Sequence, residues 1–143
     1  MTVGIILAAK GREVVSIEPE ATLAQATRLL AERRIGAALV LNNDHDVVGI
    51  ISERDIVRAL AEEGPAALQA PVSRTMTRKV ETCSESETVA SIMERMTAGK
   101  FRHMPVVEQG RLVGVVSIGD VVKHRLGQME SESSAMRDYI LTA

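Results

Sequence analysis

The sequence predicts an α+β fold made of two β-α-β-β-α repeats that pack sheet to sheet with pseudo-two-fold symmetry. Two observations carry this prediction. The heptapeptide "GIISERD" at residues 49–55 returns as "GVVSIGD" at residues 114–120, and the segments around both copies alternate between strand-like and helix-like apolar patterns. A three-stranded sheet with both helices on one face leaves its other face uncovered, so two such units are needed to bury it.

The repeat extends well beyond the heptapeptides. Ser117 follows Ser52 by 65 residues, and Thr88 follows Thr22 by 66. The one-residue difference falls in a turn, where "NNDHD" in the first copy is one residue longer than "EQGR" in the second. Turns tolerate such changes in length, so the segments on either side of the turn still correspond between the copies. We therefore expect the same order of elements in both copies.

Each element has its own pattern. Short alternating segments predict a first strand, apolar residues at helical spacing predict a first helix, two apolar runs predict a strand pair, and an amphipathic run predicts a final helix. Thr22 with Gln25 three residues later has the form of a capping box at the start of the first helix. The predicted elements are 13–17, 22–34, 37–41, 47–52 and 53–63 in the first copy, and 79–83, 88–100, 104–108, 112–117 and 118–126 in the second.

This pattern divides the chain into five parts. Residues 1–12 form a packing helix or strand at the edge of the fold, residues 13–63 the first repeat, residues 64–78 a linker with Pro and Gly at its breaks, and residues 79–127 the second repeat. Residues 128–143 read as a polar hinge followed by a short helix. In that helix Met136, Tyr139 and Ile140 would be free to contact a partner.

Composition excludes several classes of function. The 143 residues hold one Phe, one Tyr and no Trp, and the net charge is −2, so the chain offers neither stacking platforms nor a positive field for nucleic acid. A single cysteine excludes an intramolecular disulfide and fits a reducing cytoplasm. The apolar run from Val3 to Ala9 is too short for a membrane span. We expect a cytoplasmic protein with no membrane partner.

The repeated unit resembles a tandem pair of CBS domains, the Bateman module, of the free-standing bacterial type. The resemblance rests on the doubled β-α-β-β-α order, the buried "PVV"-type strands and G-x-x-S-x-x-D at both second-strand ends, and it covers Glu13 to Gly127. It implies a regulatory module that binds AMP, ADP or ATP, or else NAD(H) or S-adenosylmethionine, in clefts between its repeats. It also implies a homodimer that signals to an effector protein by conformational change.

The repeated Ser and Asp have two compatible interpretations. Ser52-x-x-Asp55 and Ser117-x-x-Asp120 can be capping boxes that stabilise each final helix by about 1 kcal/mol. The same geometry places a carboxylate at a helix N-terminus, where it can accept the two hydroxyl protons of a ribose, with helix N–H groups near the phosphates. The resemblance implies the second role, because this Asp is the family's usual ribose ligand.

The two clefts are predicted to differ. Arg102 and His103 stand beside the second strand of the second repeat, where phosphate-binding family members carry basic residues, whereas the first repeat has Gly36 and Ala37 there. An arginine fork favours a phosphate. From the residues alone, Arg102 can equally be a solvated surface arginine and His103 a structural histidine. The stronger nucleotide site is predicted to comprise Ile17, Ala26, Ile35, Arg102, His103, Val116, Ser117 and Asp120, and a weaker one Ile51, Ser52 and Asp55.

No residue set predicts catalysis or a metal site. "GVVSIGD" resembles a P-loop, but Asp120 stands where that motif needs a lysine. The three histidines fall on a turn, a strand and a helix without metal-ligand spacing. Cys83 closes a predicted buried strand, where a thiol is usually inert. The remaining alternative to a ligand sensor is a structural dimerisation domain whose clefts are vestigial.

Overall fold

The computed structural model describes residues 1–142, so Ala143, the last residue of the predicted C-terminal segment, lies outside it. The first half contains α1 (Val3–Lys10), β1 (Ser16–Ile17), α2 (Leu23–Arg33), β2 (Ala37–Leu41), β3 (Val47–Ser52) and α3 (Glu53–Glu63). A 3-10 helix (Gly64–Gln69) and α4 (Val72–Thr75) follow in the linker. The second half contains α5 (Val89–Gly99), β4 (His103–Glu108), β5 (Arg111–Ser117) and α6 (Ile118–Thr142). The predicted α+β class and repeated element order are confirmed.

The two sheets differ in how much of the first strand forms. In the first repeat β1 pairs parallel to β2 and β2 pairs antiparallel to β3, but β1 has shrunk from the predicted 13–17 to two residues. In the second repeat β4 pairs antiparallel to β5, and the predicted strand 79–83 is reduced to a parallel bridge between Cys83 and Val106. Its backbone still belongs to the sheet, since the Val107 N–H donates to the Cys83 carbonyl at 2.8 Å.

The helices begin as their sequences predict. Thr22 and Gln25 form the expected capping box: the Gln25 N–H donates to Thr22 Oγ1 at 3.1 Å, and the Thr22 N–H donates to Gln25 Oε1 at 2.9 Å. The residues of the apolar spacing, Leu23, Ala26 and Leu30, are buried in the first repeat. Val89, Ile92 and Met96 are buried at matching positions of α5.

Helix α1 belongs to the core of the second repeat, although it precedes the first. Val3, Ile6 and Leu7 are almost fully buried there. The Val3 N–H donates to the Glu87 carbonyl at 2.9 Å, and the Gly4 N–H donates to the Glu85 carbonyl at the same distance. The linker plays the matching part in the first repeat, where Ala67, Val72 and Met76 are buried.

The first residue of each G-x-x-S-x-x-D motif is a glycine because another segment crosses its strand at close range. A Cβ on Gly49 would lie 2.6 Å from the Met76 sulfur and 2.9 Å from the Thr77 carbonyl oxygen of the linker. A Cβ on Gly114 would lie 2.8 Å from a Leu7 methyl group of α1. The motif glycine therefore makes room for the segment that completes each core.

Helix α6 corrects the prediction of a hinge in the C-terminal segment. It runs unbroken for 25 residues from Ile118 to Thr142. The Ser- and Glu-rich stretch after Gly127 contains no proline, and its residues tolerate the helical backbone, so polarity alone does not end the helix. Every residue from Met129 to Thr142 is exposed.

The two motif glycines predict unequal costs for the same substitution. Gly49→Ala forces a methyl group against the linker backbone, and overpacking of this kind costs about 1–3 kcal/mol. Gly114→Ala has its nearest contacts with the side chain of Leu7, which adjusts more easily than a backbone carbonyl, so we expect a smaller loss. Urea denaturation of both variants gives the two free energies of unfolding, and equal losses would contradict the role of the linker backbone.

Candidate ligand-binding crevices between the repeats

Two crevices lie between the repeats, one at the N-terminus of each final helix. The Asp55 crevice is a cavity of about 750 Å³, and the Asp120 crevice is a cavity of about 380 Å³. Gly36, Ala37 and His103 border both, so the crevices share a wall. Each crevice draws residues from both repeats, as a ligand site between the halves requires.

The Asp55 crevice contains a complete capping box. The Ser52 N–H and hydroxyl both donate to Asp55 Oδ2 at 3.0 Å, and the Asp55 N–H donates to Ser52 Oγ at 3.3 Å. Asp55 is only 8% exposed. Its second oxygen, Oδ1, has one long hydrogen bond, from the Thr77 hydroxyl at 3.3 Å, so it retains accepting capacity toward the crevice.

The Asp120 crevice repeats the box with a different third partner. The Ser117 N–H donates to Asp120 Oδ2 at 2.9 Å, and the Asp120 N–H donates to Ser117 Oγ at 3.1 Å. Lys10, at the end of α1, forms an ion pair with Asp120 Oδ2 at 2.7 Å and donates to the Val115 carbonyl at 2.9 Å. Thr77 and Lys10 occupy corresponding places, since each follows the segment that crosses the motif glycine.

The pKa of Asp120 shows the effect of this ion pair. Partial burial of the carboxyl group raises its pKa. Hydrogen bonds from Lys10 and Ser117, with the positive charge of Lys10, outweigh burial, and the pKa of Asp120 lies below its ordinary value. The carboxylate at this helix N-terminus is ionised at neutral pH and already balanced by a cation.

The Asp55 crevice is rich in uncompensated positive charge. Its five cationic side chains are Arg54, Arg58, Lys79, Lys100 and Arg102. None of them forms an ion pair with a carboxylate within residues 1–142. Three carboxylates, those of Glu53, Asp55 and Glu81, also border the crevice, and Arg95 already pairs with Glu81 at 3.4 Å. The excess of cationic over anionic side chains around this crevice favours an anionic ligand.

The Asp120 crevice is electrically balanced. Its cation, Lys10, is paired with Asp120, and its other carboxylate, Glu13, is paired with Arg33 at 3.0 Å. The rest of its lining is largely aliphatic, with Val15, Ile35, Leu39 and Val115. No cation that borders this crevice remains unpaired within the described part of the chain.

His103 stands where the crevices meet. It opens β4 and pairs in register with Ser117 of β5. Burial lowers the pKa of its imidazole, and the charges of Lys10 and Arg102 lower it further, while Asp120 opposes them. The net direction is downward, so the ring is neutral at pH 7 and can accept a proton when an anion arrives beside it.

The structure separates residues that the sequence prediction had grouped. Arg102 was predicted to serve the site of its own repeat, with Ser117 and Asp120, but its side chain borders the Asp55 crevice. Its main-chain carbonyl accepts the Ile118 N–H at 2.8 Å, which holds the start of α6. Arg102 is not among the residues that border the Asp120 crevice. The basic pair of the second repeat therefore stands beside the acid of the first.

Two strand residues of the predicted sites, Val116 of the stronger site and Ile51 of the weaker one, do not border the crevices. Ile51 and Val116 are fully buried in the cores of their repeats, and their neighbours Ile50 and Val115 border the crevices instead. Successive side chains of a strand point to opposite faces, so a one-residue error moves the whole choice to the wrong face.

Two further predicted residues also lie in the first repeat's core. Ala26 has no exposed surface, and Ile17 packs against the same buried cluster. Ile35 borders the Asp120 crevice, together with His103, Ser117 and Asp120. Ser52 and Asp55 border the larger cavity, which sequence reasoning had taken for the weaker site.

Several crevice residues were missed by sequence reasoning. Arg54 and Arg58, both on α3, border the Asp55 crevice. Lys79 and Lys100 reach this crevice from the second repeat, and Lys10 reaches the Asp120 crevice from α1. A usable signal was present: Lys79 corresponds to Glu13 in the first repeat, the same asymmetry of charge that singled out Arg102.

Other candidate chemistry finds no support. Burial raises the pKa of Cys83 to about 12, so its thiol is protonated and inert, as predicted. Within residues 1–142 no group of three or more His, Cys, Asp or Glu side chains is placed to hold a metal ion. The helices of this part of the chain include none with the length and apolarity needed to cross a membrane.

The fold and its paired crevices define a tandem ligand-binding module built from one repeated domain. The CBS domain matches the chain twice, over residues 11–62 and 72–127, and the chain belongs to the CBS-domain family. Among curated proteins, a 17.7 kDa protein of Acidianus ambivalens is 34% identical over 78% of this chain and 66% of its own length. The CBS-domain protein CBSCBSPB5 of Arabidopsis thaliana is 28% identical, and the match spans only 22% of its length.

Solved structures show the same fold, and two of them contain adenosine compounds. The CBS-domain protein ATU1752 of Agrobacterium tumefaciens superposes with a TM-score of 0.84 at 47% identity, covering 87% of this chain and 92% of its own. PAE2072 of Pyrobaculum aerophilum, solved with AMP, gives 0.74 at 32% identity over 84% and 89%. The domain pair of MJ0100, solved with 5′-methylthioadenosine and S-adenosylmethionine, gives 0.79 at 26% identity over 90% and 98%.

The ion pair at Asp120 predicts a pH-dependent contribution to stability. Because the folded-state pKa lies below the unfolded value of about 3.9, the pair stabilises the protein above that pH and ceases to do so as pH falls through the folded value. Lys10→Met should lower the free energy of unfolding at pH 7 by up to about 1 kcal/mol, a small loss because the pair is partly exposed.

Urea denaturation at pH 7 and pH 3 measures this difference. It should shrink at the lower pH, and the NMR titration of the Asp120 carboxyl group should shift upward in the variant. Lys123→Met removes an exposed lysine that forms no ion pair within residues 1–142 and serves as the control. An Asp120 titration that is unchanged by Lys10→Met would contradict the pairing.

Proposed function

We propose that this protein is a regulatory module that binds an adenine nucleotide of the AMP, ADP or ATP class in the Asp55 crevice and signals by conformational change. One observation carries the proposal. A carboxylate with an oxygen still available for hydrogen bonding stands at a helix N-terminus in a 750 Å³ cavity, together with five cations unpaired within residues 1–142.

Each part of the nucleotide has a matching group in this crevice. Asp55 Oδ1 can accept the hydroxyl protons of the ribose. Ile50, Val80 and Phe101 offer apolar surface for adenine. Arg102 and the helix N-terminus at Arg54 suit a phosphate, which carries most of two charges at neutral pH. The AMP complex of PAE2072 supports the same ligand class at 32% identity.

This proposal reverses the predicted ranking of the two sites. The sequence prediction placed the stronger nucleotide site at Asp120, on the premise that Arg102 and His103 lie beside it. Only His103 borders the Asp120 crevice, and Lys10 already occupies one oxygen of the carboxylate. A phosphate in that crevice would find no unpaired cation among the described residues that border it.

The Asp120 crevice favours a second ligand type, an adenosyl compound without phosphates. Its volume is about half that of the Asp55 crevice, its lining is largely aliphatic, and its charges are paired. Asp120 Oδ1 accepts no hydrogen bond within residues 1–142, so it is available to a ribose. S-adenosylmethionine meets this description, and the MJ0100 structure supports adenosyl ligands without phosphates in the family.

The regulatory role follows from the position of the crevices between two halves. Residues of both repeats border each crevice, so a closed arrangement of the halves completes a site that an open one lacks. A ligand that binds the closed arrangement better shifts the population toward it. CBS-domain proteins are generally regulatory modules, and we infer a cytoplasmic, non-catalytic homodimer that an effector protein reads.

Isothermal titration calorimetry with matched variants tests the assignment. Asp55→Asn keeps a side chain that can cap the helix but removes the charge that binds a diol, so the affinity for AMP or ATP should fall at least tenfold. Asp120→Asn, the equivalent change in the other crevice, should leave that affinity within about twofold. S-adenosylmethionine should show the opposite pattern.

Each remaining outcome has a definite meaning. An AMP affinity lost in Asp120→Asn but kept in Asp55→Asn would restore the ranking predicted from sequence. NAD(H) binding that requires both carboxylates would indicate a dinucleotide sensor. No binding to the wild-type protein, and no rise in melting temperature with any of these ligands, would favour a structural dimerisation domain.

Nucleotide affinity should also depend on pH through His103. Since its pKa is lowered in the free protein, a phosphate bound nearby should raise it and draw in a proton. The phosphate of AMP also takes up a proton in this range, since its second pKa is about 6, so the test compares wild type with His103→Gln. Lowering the pH from 8 to 6 should favour AMP binding more in wild type than in His103→Gln, and wild type should take up more protons on binding, measured from the heat of binding in buffers of different ionisation enthalpy. The same pH dependence and proton uptake in both proteins would contradict this role.

A further inference from the structure

Helix α6 has a largely apolar stripe of residues that the rest of the described chain leaves exposed. Six residues from Val122 to Ile140 recur at alternating spacings of four and three, the heptad spacing of a coiled coil. We call them the α6 seam: Val122, Leu126, Met129, Ser133, Met136 and Ile140. The five apolar members are 42% to 66% exposed, and Ser133 is exposed as well. Val121 faces the core of the second repeat, so the seam lies on a flank of the helix.

The second half of α6 lacks the contacts that normally sustain a helix. From Met129 onward every described residue is exposed, and the match to the CBS domain ends at residue 127. The projecting part is about 20 Å long at 1.5 Å per residue. Isolated helices of this length are marginal in water, because most helix stability in proteins comes from packing of an apolar face.

The charges beside the seam identify the partner. In heptad terms, Leu126, Ser133 and Ile140 are a positions of the seam, and Val122, Met129 and Met136 are d positions. In a parallel pair of identical helices, the residue just before an a position of one helix faces the residue just after the following d position of the other helix. Arg125 of one copy then faces Glu130 of the other, and Glu132 faces Arg137. All contacts of this set join opposite charges, and none of the four residues has an ion pair within residues 1–142.

An antiparallel orientation of the two helices would bring like charges together. Antiparallel helices that overlap the whole seam place Glu130 against its own copy and Glu132 against its own copy. They also place Lys123 against Arg137. Like charges in these positions disfavour that pairing.

We propose that α6 pairs with α6 of a second copy of this chain as a parallel, in-register, two-stranded coiled coil along the α6 seam. This rests on the homodimer of the proposed function and names its surface. Ser133 is the polar member of the seam, so a partner's Ser133 faces it at the centre of the pairing.

Analytical ultracentrifugation of the full chain tests the surface. Wild type should sediment as a dimer at micromolar concentration. Met136→Asp, which places like charges inside the seam, should raise the dimer dissociation constant at least tenfold, and Ser133→Ile should lower it. Tyr139→Asp, beside the seam, should change it far less. A wild-type monomer, or a dimer indifferent to Met136→Asp and Ser133→Ile, would overturn the proposal.

The orientation is tested separately. Arg137→Glu should weaken a parallel dimer and strengthen an antiparallel one, and adding Glu132→Arg should restore the parallel dimer. Ser133→Cys should form an intermolecular disulfide on mild oxidation, because the native Cys83 is buried and equivalent seam positions meet. A disulfide that forms only between Ser133→Cys and Met129→Cys chains would show the antiparallel arrangement and overturn the proposal.

Nucleotide titration of Met136→Asp separates the two proposals. Wild-type affinity in a monomeric Met136→Asp variant would support the seam as the dimer surface and leave the Asp55 crevice intact. Failure of every ligand to bind, with the dimer unaffected, would count against the proposed function alone.

Discussion

The crossing of a second segment over the motif glycine of each repeat organises the rest of the molecule. Gly49 admits the end of the linker, and Gly114 admits α1. The crossing segments close the two cores and then bring their next polar side chains, Thr77 and Lys10, to the carboxylates of the capping boxes. One steric requirement therefore supplies both core packing and the chemistry of the crevices.

The difference between the crevices follows from what each crossing segment carries. The linker brings a neutral group, the Thr77 hydroxyl, to Asp55, so the charge of this carboxylate is not balanced by a cation hydrogen-bonded to it within residues 1–142. Helix α1 ends in Lys10, so the charge of Asp120 is neutralised by an ion pair within the protein. A fold with near-symmetric halves thus acquires two unlike sites through single residues outside the repeated pattern.

The repeat, the element order and both capping boxes could be predicted because they depend on local patterns that recur along the chain. The crevice linings could not, since they depend on which residues the pseudo-two-fold axis brings together. Arg102 is sequence-adjacent to the second repeat's strand but borders the first repeat's acid. Ile51 and Val116 lie on the core faces of their strands and not on the crevice faces. Both faces of these strands carry apolar residues, so the sequence does not show which face borders the crevice. A helix was predicted in the tail, but its continuity with α6 was not, because the polar stretch after Gly127 was interpreted as a hinge.

The common wall of Gly36, Ala37 and His103 has a thermodynamic consequence. A ligand in one crevice that reorients or protonates the imidazole changes the surface offered to a ligand in the other. Such coupling is reciprocal, so each ligand alters the other's dissociation constant by the same factor. For the two ligands proposed above, this coupling would make occupancy of each crevice depend on both concentrations together.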